Sequence, residues 1–242
     1  MKQYEAVIEV MKANGGFATF SHLYAEVLKV PGVKWGTKTP FASIRRIVQD
    51  ERYFFKIRPG LWALHEFKDK LPFSEAIGPK APEQKQAEFN HTYYQGLLVE
   101  IGNLKKLATF VPNQDKNKQF LNKSLSQLTT IQEFYPFTYQ NIVNQARTVD
   151  VTWFNHRKLP NAFIEVEHST DIHRSLVKFV ELQDFYTDFI IVAPEARKAE
   201  FTSKLALSAF QPIQKRVKFW DYENVSKLHA NLSELLLIEQ MI

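Results

Sequence analysis

Val149-Asp-Val-Thr-Trp-Phe154 and Asn161-Ala-Phe-Ile-Glu-Val-Glu-His168 are the stretches on which the fold turns. Both are rich in β-branched and aromatic residues and read as paired strands, joined through Asn155-His-Arg-Lys-Leu-Pro160. Side chains alternate along a strand, so Glu165 and Glu167 share one face while Ile164 and Val166 take the other. Two like charges at neighbouring same-face positions repel, and partial burial worsens the repulsion. A divalent cation would remove that penalty. Pairing would also bring Asp150 alongside. Three carboxylates converging from paired strands suit a hard, oxygen-seeking ion such as Mg²⁺.

Outward from this pair the pattern is α/β. Ala87 to Ala108 reads as a long amphipathic helix, with Phe89, Tyr93, Leu97, Leu98, Ile101, Leu104 and Leu107 mostly inward. Glu100 falls among them, and a carboxylate near an apolar seam needs a partner. Asn113 to Lys123 is polar and reads as a loop or the start of a helix. Asn141 to Ala146 is a short helix. After the strand pair come a helix over 172–185, a buried strand over 188–193 ended by Pro194, a helix over 195–207, a strand over 217–222 and a helix over 224–239. That order predicts a mixed β-sheet with flanking helices.

Residues 1–66 form a separate module. Tyr4 to Met11 is helical and ends at Gly15-Gly16. Ser21 is positioned to cap a second helix that Pro31-Gly32 breaks. Thr39 caps a third, with Pro40 at its first position. Phe41, Ile44, Ile47 and Val48 give that helix its apolar face, leaving Ser43, Arg45, Arg46 and Gln49 outward. Two strands, 53–57 and 61–64, then surround the turn Arg58-Pro59-Gly60. Residues 67–86, with several charges and prolines and no sustained apolar period, read as a linker. Residues 87–242 are then the second module.

Charge supports this division. The chain carries a formal net charge of +5, and the ten basic and five acidic residues of positions 1–64 account for all of it. A small basic module beside a neutral one points to a polyanion reader joined to something else. Cysteine is absent, which excludes disulfides and thiolate metal sites. No apolar run reaches the length of a membrane span, and the N-terminus lacks the apolar core of a secretion signal, so a cytoplasmic setting is expected. No phosphate-cradling Gly-x-x-x-x-Gly-Lys loop, dinucleotide fingerprint or Gly-x-Ser-x-Gly elbow is present. His168 and His173 straddle a strand end at a spacing unlike a helical zinc motif, so His168 is read as a site-edge or structural residue.

Three helices and a hairpin are the layout of a winged helix. Gly16-Phe-Ala-Thr-Phe-Ser21, Thr37-Lys-Thr-Pro-Phe-Ala-Ser-Ile-Arg-Arg46 and Phe54-Phe-Lys-Ile-Arg-Pro-Gly-Leu-Trp-Ala-Leu64 resemble the HARE-type winged helix. The resemblance implies DNA contact from the third helix and the hairpin wing, through Lys38, Thr39, Ser43, Arg45, Arg46, Lys56 and Arg58. The second module resembles the PD-(D/E)XK nuclease superfamily in element order and carboxylates. By that resemblance Glu100 is the acid of the leading helix, Asp150 the strand Asp, and Glu165 the first residue of the (Glu/Asp)-x-Lys pair. Glu167 stands where lysine is usual, as in some restriction enzymes of that superfamily, and Lys178 on the following helix is a further source of positive charge.

The resemblance implies a Mg²⁺-dependent DNA endonuclease of restriction type, with Mn²⁺ as a substitute ion. Asp150 and Glu165 are the expected metal ligands, with the Val166 carbonyl as a third. Glu167 is the expected general base or water orienter, and Glu100 is expected to order a water or hold a second ion. Cutting both strands implies a homodimer. The rival from another class is a DNA-binding regulator or scaffold with a degenerate nuclease-like module, and an enzyme acting on RNA or modified DNA also stays open.

Overall fold

The computed structural model describes residues 1–78 and 80–241, so Pro79 of the expected linker and Ile242 of the tail lie outside the described residues. Contacts divide the chain into two units, one of 1–82 together with Ser226 onward, the other Glu83–Val225.

The first unit runs α1 (Gln3–Ala13), β1 (Phe17–Thr19), α2 (Phe20–Glu26), α3 (Pro40–Ile47), β2 (Phe54–Arg58), β3 (Leu61–Leu64) and α4 (Ser74–Ile77). β1 is an element that periodicity missed, because three residues are too few to reveal alternation. It pairs antiparallel with β3, and β3 with β2. Gly16 takes φ +90, and a Cβ there would meet the Phe67 ring at 2.1 Å, so chain direction and packing both require glycine between α1 and β1. The expected caps shift: Thr39 precedes α3 but its side chain makes no cap hydrogen bond, and α2 starts at Phe20, capped not by Ser21 but by Thr19, which accepts from the His22 amide.

The expected linker is not one throughout. A 3₁₀ stretch covers His65–Lys70, Leu71 is buried, and α4 follows. The C-terminal boundary also differs from the expected 87–242 module. Ala230 and Leu237 join the core of the first unit, and Ser226 donates to the Pro59 carbonyl. Burial of those side chains, which a linear sequence cannot display, decides that assignment.

The second unit contains α5 (Glu83–Leu104), β4 (Ala108–Phe110), β5 (Gln119–Phe120), β6 (Lys123–Ser124), α6 (Leu125–Leu128), α7 (Gln140–Ala146), β7 (Val151–Phe154), β8 (Pro160–Val166), α8 (Ile172–Val180), β9 (Asp188–Ala193), α9 (Lys198–Leu205) and β10 (Val217–Asp221). α10 (Tyr222–Met241) starts in this unit and continues in the first. The sheet order is β10-β9-β8-β7-β4. β8, β9 and β10 are parallel, linked by helical crossovers, whereas β7 and β4 run antiparallel, so the sheet is mixed as expected.

β9 is buried on both faces, which is why it reads as an unbroken apolar run. One core gathers Phe163, Phe189 and Ile191 of the sheet with Leu176 and Phe179 of α8 and Phe201 of α9. On α5, the Leu98 carbonyl accepts from the buried Trp153 indole at 3.0 Å. The expected helix end at Ala108 overruns α5, which stops at Leu104; the left-handed Lys106 (φ 59) separates it from β4.

Gly96 of α5 lies under the β5–β6 hairpin, and a Cβ there would meet the Phe120 ring at 2.1 Å. Phe120 is itself buried, so it cannot swing away cheaply. Gly96→Ala is therefore expected to lower stability by about 1–3 kcal/mol through overpacking, despite alanine's better helix propensity. Urea unfolding checks this; an unchanged or higher midpoint would contradict it.

Candidate metal and nuclease site

The β7–β8 register pairs Val151 with Ile164, which sets Asp150 opposite Glu165. Asp150 Oδ2 accepts from the Val166 amide at 2.8 Å, so its carboxylate caps the peptide that follows Glu165. Glu165 and Glu167 are both buried, with relative exposures of 3% and 4%. Their shared face is confirmed by one hydroxyl: Ser175 of α8 donates to Glu167 Oε1 and reaches Glu165 Oε2 at 3.4 Å.

Lys178, one helical turn further along α8, places Nζ 2.7 Å from Glu165 Oε1 and 3.2 Å from the Thr148 carbonyl. Lys178 is thus placed where it can supply positive charge against Glu165. Glu167, expected as a base, has both oxygens engaged, by Ser175 and by Thr170, and Arg197 holds its backbone carbonyl at 2.9 Å.

The other wall comes from α5 and the loop after β4. His91 Nε2 lies 3.7 Å from Asp150 Oδ1. Gln95, one turn on, donates to the Asp150 carbonyl at 2.8 Å and to Asp115 Oδ2 at 3.0 Å. Asp115 is buried, and Lys118 pairs with its Oδ1 at 2.7 Å. Ligand atoms of His91, Asp115 and Asp150 all lie within 4.8 Å of one another. Glu100 is not brought into this group. It sits nine residues beyond His91 on α5, about 13 Å along the helix axis. The helix does approach the carboxylates, but through its earlier turns.

The sequence reading missed His91, Gln95, Asp115 and Ser175. The i, i+4 spacing of His91 and Gln95 on one helix face was the available signal. Asp115, within a polar loop, offered none. His168 lies at the site edge: Asn90 Nδ2 is 3.2 Å from its Nε2 and Tyr222 Oη 3.1 Å from its Nδ1, which occupies both ring nitrogens. His173 is not joined to it and packs edge-on against Phe210.

A cleft of about 370 Å³ is lined by Glu88, His91, Lys118, His168 and Thr170, among others, of which His91 approaches Asp150, Lys118 pairs with Asp115 and Thr170 donates to Glu167. A larger one of about 800 Å³ lies at the opposite end of the parallel strands. There Arg216 is spent on the backbone carbonyls of Gln183, Phe185 and Thr187, and Lys218 on Asp188. The smaller cleft is the one lined by neighbours of the acids.

Electrostatics mark the same place. Burial pushes the Glu165 carboxyl well above its ordinary range, and the Asp150 charge pushes it further; together they outweigh the Lys178 ammonium. Asp150 is raised by burial, with His91 and the Val166 amide opposing.

A family profile described as the type II restriction enzyme NmeDI C-terminal domain matches residues 70–240. The chain belongs to that family. It is also 25% identical, over 150 residues, to the type II restriction enzyme NmeDI of Neisseria meningitidis serogroup C. That alignment takes 58% of this chain and 42% of NmeDI, so the chain spans less than half of its relative's length. No solved structure matches the chain. The family region includes all the carboxylates described above. Among the described residues, no helix is long and apolar enough to cross a membrane.

The raised carboxyls fix the direction of a pH effect. An unfolded chain releases these protons near the ordinary carboxyl values of about 4, while the folded ion-free chain holds them to higher pH. The ion-free protein therefore loses stability as pH rises from that range through the folded-state values. Glu165→Gln is expected to flatten this decline and to raise the melting temperature of the ion-free protein at pH 8. Thermal melts in a chelator at pH 5 and pH 8 check it; a variant less stable than its parent at pH 8 would refute it.

Proposed function

We propose that this chain is a restriction-type endonuclease that hydrolyses phosphodiester bonds of double-stranded DNA with a bound divalent ion, Mg²⁺ or Mn²⁺. One observation carries the reading: in a chain of the NmeDI family, a buried Glu165 faces a half-buried Asp150 across paired strands, with a lysine set against Glu165. The donor chemistry fits a hard ion, since Asp150 and Glu165 supply anionic oxygens beside a cleft and one ammonium cannot neutralise both. The Val166 carbonyl is the proposed third ligand. When bound, such an ion lowers the pKa of water and neutralises phosphate oxygens.

The residues of the chain do the remainder. Lys178 balances Glu165 and offers a proton-bearing cation toward the scissile phosphate. Ser175, held by Glu167, fixes the orientation of the Glu165 carboxylate. Gln95 holds the backbone at Asp150. Glu100 has no part in this scheme, and Glu167 acts through Ser175 rather than as the base.

The first unit is proposed as a winged helix that docks on duplex DNA, supported by helices α1–α3, its three-stranded sheet and its excess of basic residues. Thr39, Ala42, Arg46 and Gln49 form the exposed face of α3, with Lys38 just before it and Lys56 and Arg58 on the β2–β3 hairpin. Ser43 is only partly exposed. Arg45 leaves the expected DNA-binding set, because Glu234 at 2.5 Å and the Tyr24 hydroxyl at 2.8 Å take its guanidinium inward. A homodimer is proposed for cutting both strands, and the setting is proposed to be the prokaryotic cytoplasm.

Asp150→Ala and Glu165→Ala should abolish cleavage while duplex binding persists. Lys178→Met should lower kcat about 10²-fold with little change in affinity. Cleavage of mixed methylated and unmethylated genomic DNA in Mg²⁺ or Mn²⁺ is the assay; activity surviving the carboxylate changes would remove the assignment. On the docking side, Arg46→Ala should weaken binding at all sequences and reduce the salt slope of binding by about one, as loss of one phosphate contact does. A salt titration of binding that matches the parent would place Arg46 off the DNA.

A further inference from the structure

Asp150 presents its two oxygens to different surroundings. Oδ2 takes the Val166 amide, on the side of Glu165, whereas Oδ1 is turned toward His91 Nε2 at 3.7 Å. Asp115 closes that second side, its nearest ligand atom within 4.8 Å of both others. We infer that His91, Asp115 and Asp150 form a second cation site, separate from Glu165, that takes a borderline transition ion such as Mn²⁺ or Co²⁺ in preference to Mg²⁺. The site shares Asp150 with the proposed nuclease centre but does not depend on cleavage.

The chemistry of the donors sets the preference. One imidazole nitrogen with two carboxylates suits Mn²⁺, Co²⁺ or Zn²⁺, whereas Mg²⁺ takes oxygen ligands and gives up water reluctantly. Donors of a six-coordinate ion sit about 3.0 Å apart when adjacent and about 4.2 Å apart when opposed, so separations of up to 4.8 Å must shorten by up to about 2 Å as the side chains rotate onto an ion.

An independent observation lies next to the cluster. Gln95 is fully buried and its Nε2 is bonded to both Asp115 Oδ2 and the Asp150 carbonyl, yet its Oε1 has no hydrogen-bond partner. A buried carboxamide oxygen without a donor is costly, and a cation or its water would satisfy it. Lys118 is the present counter-charge of Asp115, and its side chain is 32% exposed, so it can withdraw to solvent as an ion enters. The flanking cleft runs along His91 and Lys118 and supplies a path.

The test is equilibrium dialysis of the full chain against Co²⁺, Mn²⁺ and Mg²⁺, with the visible spectrum of the Co²⁺ form. The parent should bind about two Co²⁺ per chain. His91→Gln and Asp115→Asn should each lose one of these, with affinity for it falling at least about tenfold, and should change the Co²⁺ bands. Glu165→Gln should keep the His91-dependent ion and its spectrum. Circular dichroism confirms folding, and His91 is partly exposed, so its variant is expected to fold.

Unchanged Co²⁺ binding and spectrum in both His91→Gln and Asp115→Asn would overturn the inference. So would one ion in the parent that either Glu165→Gln or His91→Gln removes, since that is a single shared site. Uncut DNA together with His91-dependent Co²⁺ binding would count against the nuclease reading and leave this site standing.

Discussion

Holding a buried Glu165 beside a half-buried Asp150 at the junction of β7 and β8 is the constraint on which the second unit depends. Desolvation and mutual repulsion both oppose it, and in low dielectric each is larger than at a surface. The surrounding structure answers with groups drawn from separate elements. The Val166 amide caps Asp150, Lys178 and Ser175 reach down from α8 to Glu165, and Gln95 of α5 fixes the Asp150 backbone. The protonation directions of Glu165 and Asp150 indicate that these groups only partly offset the cost. What is left is a standing attraction for positive charge, in the chain whose family is that of a restriction enzyme domain.

The same economy of charge explains the neighbouring groups. Glu167 is as buried as Glu165, yet two hydroxyls satisfy its oxygens and Arg197 holds its carbonyl. Similar residues one strand pitch apart thus have different environments: one is poised against a lysine, the other is a bracket. In the first unit, the Arg45–Glu234 pair links α3 to α10 and subtracts one cation from the face that composition alone would credit with it. A basic residue on a helix is a DNA contact only if no acid of its own chain has claimed it.

Legibility followed the range of the interactions. The alternation over 161–167 located β8 and the common face of Glu165 and Glu167, because side-chain direction in a strand is a local property. The apolar run over 188–193 located β9 for the same reason. Helix α5 is legible, but which of its turns meets the carboxylates is not: the turns that reach Asp150 carry His91 and Gln95, whereas Glu100 lies further along. Which turn of a helix lies against which strand end depends on packing such as the seat of Trp153 on the Leu98 carbonyl, and no spacing rule encodes it. Asp115, 35 residues before Asp150 in a polar loop, was invisible for want of any period.

The sequence by itself determined the division of basic and neutral regions, the strand pair with its carboxylates, and the α/β order around them. These rest on composition and on periodicities of two and 3.6 residues, which are local. Tertiary structure alone decided that Lys178 meets Glu165, that His91 of α5 approaches Asp150, and that α10 completes the first unit. Those outcomes arise from packing between segments distant along the chain, where burial and charge pairing select partners that linear spacing does not specify.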